Sequence, residues 1–255
     1  MERSDVVLYE KRENIALLTF NRPDALNALN TDVNLTLIEL LDKADEDSDI
    51  RVIVLTGSGN KAFVAGADIK EMMNMGAMEA REHAIRAKRV TDKIWNLNKP
   101  VIAAINGFCL GGGLEYALAC DLRIAAENAR VGLPEINLGI LPGGGGTQRL
   151  PRLIGLTKAK ELCFTGDILD AGKALELGLV NAVYPKESLL EETMALAKKI
   201  ASKSATSVAL IKSAMNKGTE MNLESAALFE IDCFGLCFST EEQKKGMAAF
   251  VSKKK

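Results

Sequence analysis

The sequence predicts an α/β protein in which strand, glycine-bearing loop and helix recur through the first half, and in which helices fill the last third. Three observations carry this reading. The runs RVIVLTG (51–57) and PVIAAI (100–105) are continuously apolar, as strands buried on both faces are. Glycine-bearing loops start near residues 57, 106 and 139. From Thr157 onward, segments of helical spacing are bounded by glycine, proline or small polar residues. The recurrence is not an exact sequence repeat. It points to successive structural turns rather than one doubly wound sheet.

Each element follows from its local pattern. VVLYE and IALLTF read as two strands joined by the charged turn KREN. NRPDALNALN is a turn-rich connector, after which Asn30 or Thr31 caps a helix over DVNLTLIELLDKADED. SGNKAFVAGADI is a loop with glycine and alanine at its centre, and residues 78–97 carry helical spacing and many charges. DLRIAA is a further strand, and the chain from Ala129 to Thr147 is mostly loop and short turns. Six helical segments follow, and Ser239 with Glu242 has the spacing of a capping box before the last. The final helices carry Phe229, Phe234 and Phe238, so this tail must cover its own core or a neighbouring subunit.

Composition narrows the function. The 255 residues suffice for one large domain, or a core with an appendage. A net charge of −2 argues against a strongly basic nucleic-acid footprint. No apolar run approaches the length of a membrane span. The N-terminal stretch lacks the basic-then-apolar order of a signal peptide, and five cysteines scattered through apolar runs fit reduced thiols, so a cytoplasmic location is expected. His83 is the only histidine, which rules out a histidine-based triad or a multi-histidine zinc site. His83 and Trp95 read as packing or helix-surface residues, and Cys109 as a small packing residue.

The glycine clusters do not fit nucleotide binding. TGSGNKAF has the wrong spacing and hydroxyl for a phosphate loop, and GGGLEY and GGGGTQRL fail the dinucleotide fingerprint. Another use of glycine fits better. Amides at a helix start are unpaired, glycine lets a ligand approach them, and such amides stabilise an oxygen that gains negative charge. Gly111–Gly113 sit at an expected helix start, and Gly66 beside Ala65 lies in a second loop after a buried strand. Glu115 is then either a simple first-turn helix charge or a functional acid. Glu135, in VGLPEINLGI, is either a surface loop acid or its partner. Two acids beside an oxyanion hole could hold a water and deliver a proton, with burial raising their pKa values.

The segments KAFVAGADIKEM, NGFCLGGGLEYALACD and PEINLGILPGGGGTQRLPRLIG, followed by FTGDILDAGKALELGLVNAV, resemble the signature segments of the enoyl-CoA hydratase (crotonase) family in the family's order. Within it the likeness is to short-chain enoyl-CoA hydratases of the 3-hydroxybutyryl-CoA dehydratase type. The resemblance implies an α/β crotonase-like spiral of repeated ββα units, here residues 1–195, and a helical C-terminal region, residues 196–255, that forms a homotrimer or a homohexamer. It implies catalytic Glu115 and Glu135, and an oxyanion hole from the N–H groups of Ala65 and Gly112. Coenzyme A contacts are implied at Ala25, Leu26, Ala67, Asp68, Ile69 and Lys70, although Asp68 also reads as a loop cap. No metal or prosthetic group is implied, because coenzyme A arrives on the substrate. The expected reaction is reversible syn hydration of a short 2-trans-enoyl-CoA such as crotonyl-CoA. Alternatives are double-bond isomerisation or a noncatalytic RNA-binding role on the same fold. Met72, Met73, Met75 and Met78 form a soft stretch expected to line an acyl pocket. The terminal lysines 253–255 could supply charge for a shortened tail.

Overall fold

The computed structural model describes residues 5–252. The chain enters through an antiparallel hairpin, β1 (Val7–Arg12) and β2 (Ile15–Phe20), turned at Glu13–Asn14 with Glu13 at φ 54°. A 3₁₀ turn at Pro23–Ala25 leads to α1 (Thr31–Glu46), capped by Asn30, whose side chain accepts from the Val33 amide. Three similar turns of chain follow. The first is β3 (Val52–Gly57), β4 (Ala62–Val64), α2 (Ile69–Met72) and α3 (Ala77–Asn96). The second is β5 (Val101–Ile105), β6 (Phe108–Leu110) and α4 (Gly112–Ala119). The third is β7 (Leu122–Ala126), β8 (Arg130–Gly132), a 3₁₀ turn at Pro134–Leu138, then α5 (Gly146–Ile154) and α6 (Leu156–Thr165).

Each turn adds one strand to each of two sheets. The larger sheet runs β1-β2-β3-β5-β7 and closes with β10 (Ala182–Tyr184), parallel beyond the first hairpin. The smaller runs β4-β6-β8, all parallel, with β9 (Leu169–Asp170) antiparallel at its edge before α7 (Ala171–Glu176). This is the repeated ββα architecture. The strand-to-strand links are at residues 58–61, 106–107 and 127–129, so the loop near residue 139 is not the third of the set; it follows the 3₁₀ turn.

The continuous apolar runs have a direct cause. One face of the large sheet, with Leu18, Ile53, Leu55, Ala103 and Ile105, joins the main core. The other face, with Leu17, Val54, Ile102 and Ile124, is covered by Leu189, Met194 and Ala197 of α8 (Leu189–Ala201). The boundary expected after residue 195 falls inside this helix.

The chain ends in α9 (Ala205–Gly218), α10 (Leu223–Cys237) and α11 (Glu241–Ser252). Lys212 of α9, only 8% exposed, fastens this tail to the core: its ammonium donates to Ile94 O, Lys99 O and Asp121 Oδ2. Leu223, Phe234, Phe238 and Phe250 remain exposed. In place of the capping box expected at Ser239 and Glu242, a simple cap stands one residue on: Thr240 accepts from the Gln243 amide, and Glu242 accepts from the Ser204 hydroxyl. The lysines at 253–255 lie outside the described residues. Among the described residues, no helix is long and apolar enough to cross a membrane.

Candidate active site

The three strands of the small parallel sheet lie side by side, so the loops leaving their C-terminal ends are neighbours. Ligands commonly gather at that edge of a parallel sheet. Here the loop after β4 carries Ala65–Asp68, the loop after β6 carries Gly111 and Gly112, and the turn after β8 carries Glu135. Topology thus brings together segments some seventy residues apart in sequence.

Glycine permits the close approach. Gly113, in the first turn of α4, lies so near β4 that a Cβ there would sit 2.2 Å from Val64 O. Gly111 adopts φ 52°, a left-handed conformation that disfavours side chains, and a Cβ there would meet Glu135 Oε1 at 3.1 Å. The Glu135 carboxylate therefore lies against the residue that caps α4.

Glu115 is 4% exposed, so it is not a surface helix charge. Its Oε1 accepts from the amides of Gly144 and Gly146, each at 2.7 Å. These glycines lead into α5, so the carboxylate caps a second helix start. Burial pushes its carboxyl upward, while the amides of Gly146 and Gly144 and the charge of Arg149 pull the other way. Only Oε1 accepts these bonds, which leaves Oε2 for other partners.

Glu135 is placed differently. Its Oε2 is buried without a hydrogen-bond partner among the described residues. Burial pushes its carboxyl to about 7, helped by the negative charge of Glu115 and opposed by its own backbone amide. One acid is gripped by donors and the other is not. Such a difference separates the roles of two carboxylates.

The amide pair differs from the expected one. The Ala65 N–H already donates to Leu26 O at 3.1 Å, which removes it as a free donor. The cause is the Leu26–Leu29 segment, which lies along this loop: Leu29 N–H donates to Gly66 O, and Asp68 N–H to Leu29 O. That ladder skips Ala67, whose N–H has no partner among the described residues. A Cβ on Gly112 would come within 3.9 Å of Ala67 N. Gly112, the first residue of α4, likewise has an unpartnered amide. The free amides that adjoin are therefore Ala67 and Gly112.

The remaining expected contacts border this pair. Ala25 and Leu26 lie in and just after the first 3₁₀ turn, with Leu26 at φ 51°. Asp68 is a structural tie: Oδ1 accepts from the Lys70 amide and Oδ2 pairs with Arg22 at 2.9 Å. Ile69 and Lys70 are exposed at the start of α2. Met72 and Met75 are half-buried, while Met73 and Met78 are largely exposed. Cys109 is fully buried, and Trp95 packs at the surface of α3 under the Arg149 guanidinium. His83 is 8% exposed, with burial lowering its pKa. Among the described residues, no three His, Cys, Asp or Glu side chains are grouped to hold a metal ion.

Sequence reading missed Gly144, Gly146 and Arg149. GGGG was discarded as a nucleotide motif, yet it stands before a helix, where unpaired amides are expected as surely as at Gly111–Gly113.

Comparison with known proteins agrees with this architecture. The family model described as enoyl-CoA hydratase/isomerase matches residues 10–255. The crotonyl-CoA hydratase of Syntrophomonas wolfei is 49% identical, covering 98% of this chain and 96% of that protein. The short-chain-enoyl-CoA hydratase of Clostridium acetobutylicum is 48% identical, covering 100% and 97%. The crystal structure of an enoyl-CoA hydratase from Bacillus anthracis superposes with a TM-score of 0.94 at 40% identity, covering 97% of this chain and 96% of that one. With its ββα turns and its pair of acids at one sheet edge, the chain belongs to the enoyl-CoA hydratase/isomerase (crotonase) family of enzymes.

Proposed function

We propose that the chain adds water reversibly to a short 2-trans-enoyl-CoA, with crotonyl-CoA as the type substrate, to give the 3-hydroxyacyl-CoA. One observation carries this reading: two carboxylates in unlike environments adjoin two unpartnered amides at the ends of neighbouring strands. The names of the relatives from Syntrophomonas wolfei and Clostridium acetobutylicum support the substrate class.

The thioester oxygen accepts from Ala67 N–H and Gly112 N–H. As the enolate-like state develops, charge on that oxygen grows and the amides stabilise it, aided by the positive end of α4. Polarisation makes the β-carbon electrophilic. Glu115, held in place by the Gly144 and Gly146 amides, orients a water through Oε2 and, in its ionised form, takes the water's proton as the C–O bond forms. Glu135, protonated over a useful fraction near neutral pH because its pKa is about 7, gives its proton to the α-carbon. Delivery of the hydroxyl and the proton to one face of the double bond makes the addition syn. A proton relayed from Glu115 to Glu135 through water resets the pair. The reverse sequence dehydrates the 3-hydroxy compound.

Coenzyme A lies along Ala25, Leu26 and the segment from Ala67 to Lys70, with Asp68 acting through its tie to Arg22. Met72–Met78 begin just beyond Ala67 and border the acyl chain. The exposed apolar residues of α10 and α11 support assembly as a homotrimer or a pair of trimers. The test is direct: purified protein incubated with crotonyl-CoA should remove the conjugated absorbance. No loss at any enzyme concentration sinks the reading, and conversion of a 3-enoyl-CoA alone would favour the isomerase.

A further inference from the structure

The loop that grips Glu115 is itself gripped. Gly144 O, on the residue whose amide binds Glu115, lies 3.1 Å from the Thr91 hydroxyl and 3.4 Å from Arg149 Nη1. The Arg149 guanidinium lies across the loop so closely that a Cβ on Gly145 would meet Nη1 at 2.2 Å. It is held there from α3: its centre is 5.5 Å over the Trp95 ring, and Nη2 is 3.9 Å from Asp92 Oδ1. Its side chain is only 19% exposed, although it makes no strong ion pair. A half-buried cation with weak partners needs a reason. Besides Asp92, the acid whose charge it feels most is Glu115, the carboxylate held by this same loop.

We propose that Arg149 is a positioning residue of the reaction: its guanidinium clamps the Gly144–Gly146 backbone that orients Glu115 and places a fixed positive charge behind that loop. This rests on the hydratase reading for its catalytic consequence, but not for its effect on Glu115. Two properties of arginine are used. The flat guanidinium stacks on Trp95 while reaching a carbonyl, which a lysine ammonium does not reproduce. Its permanent positive charge favours the ionised form of a nearby acid. The other charges facing the guanidinium are Asp92 on α3, Arg152 one turn along α5, and Glu220 after α9; Glu115 itself faces Arg149, and its charge also reaches Glu135, Tyr116 and Cys163.

The experiment compares the full-length wild type with Arg149→Met and Arg149→Lys. The first readout is the carboxyl ¹³C titration of Glu115, assigned with Glu115→Gln. The second is the pH profile of crotonyl-CoA hydration. Arg149→Met should raise the Glu115 midpoint by about one pH unit. The acid limb of the rate should move up with it, since the ionised form is then lost at higher pH, and kcat should fall about tenfold to a hundredfold with KM little changed. Arg149→Lys should keep the midpoint near wild type and lose about tenfold in kcat, because charge is retained and the planar clamp is not. An unchanged midpoint in Arg149→Met, or wild-type kcat in Arg149→Lys, overturns the proposal; if the methionine variant does not fold, the lysine variant decides it. The titration needs no turnover. A wild type that fails to hydrate crotonyl-CoA therefore removes the hydratase reading while the Arg149–Glu115 coupling is still decided.

Discussion

Replacing Glu135 by glutamine should make the protein more stable at mildly alkaline pH while disabling it. The carboxyl stands at about 7, against an ordinary value of 4.5, chiefly because burial penalises its charge. At 1.36 kcal/mol per pH unit, that difference corresponds to about 3 kcal/mol between the protonation states. The residue is partly exposed, and screening reduces the usable figure to roughly 1–2 kcal/mol. The sign follows from linkage. A group whose pKa is raised in the fold favours the folded state below its unfolded pKa, and that contribution is lost as pH climbs from about 4.5 through about 7. Wild type therefore carries the penalty above neutrality, and Glu135→Gln, which cannot ionise, does not. Thermal melts of both proteins at several pH values are the assay. The variant should melt roughly 2–6 °C higher near pH 8, and the gap should close near pH 4. A gap of constant size across that range, or none near pH 8, refutes the claim that the acid is held in a charge-averse site.

Two further substitutions probe how the site is built. Gly111→Ala places a methyl at 3.1 Å from Glu135 Oε1 on a residue at φ 52°, so steady-state kinetics should show kcat reduced by about a hundredfold and melting should show a loss of about 1–2 kcal/mol. Lys212→Met removes the ammonium that joins α9 to Asp121 and to two backbone carbonyls, which should destabilise by about 3 kcal/mol in denaturant unfolding. Both assays have simple adverse results: normal turnover in the first variant, or a shift below about 1 kcal/mol in the second.

Much of the fold is legible in the chain because burial leaves a direct mark. RVIVLTG is continuous because β3 is covered on both faces, and Asn30 stands where α1 needs a cap. The partner of Glu115 is not legible, because the glycines that bind it lie twenty-nine and thirty-one residues away and only the packing of α5 against α4 joins them. The choice between Ala65 and Ala67 is equally hidden. Both alanines occupy one loop, and which amide is free depends on the Leu26–Leu29 segment hydrogen-bonding its alternate neighbours. Family likeness pointed to the loop and to Gly112; a hydrogen-bond ladder distinguishes Ala67 within it. The offset at Ser239 has the same origin: a capping pattern is short, and Thr240 is an equally good cap one residue on.

The central claim is that Glu115 and Glu135 act as one unit on a single water and a single substrate. Crotonyl-CoA hydration by Glu115→Gln, Glu135→Gln and the double variant tests it most directly. Each single change should lower kcat by about a hundredfold to ten-thousandfold, and the double variant should be little worse than the poorer single one. Losses that multiply, or near-normal turnover in either single variant, would contradict a shared site.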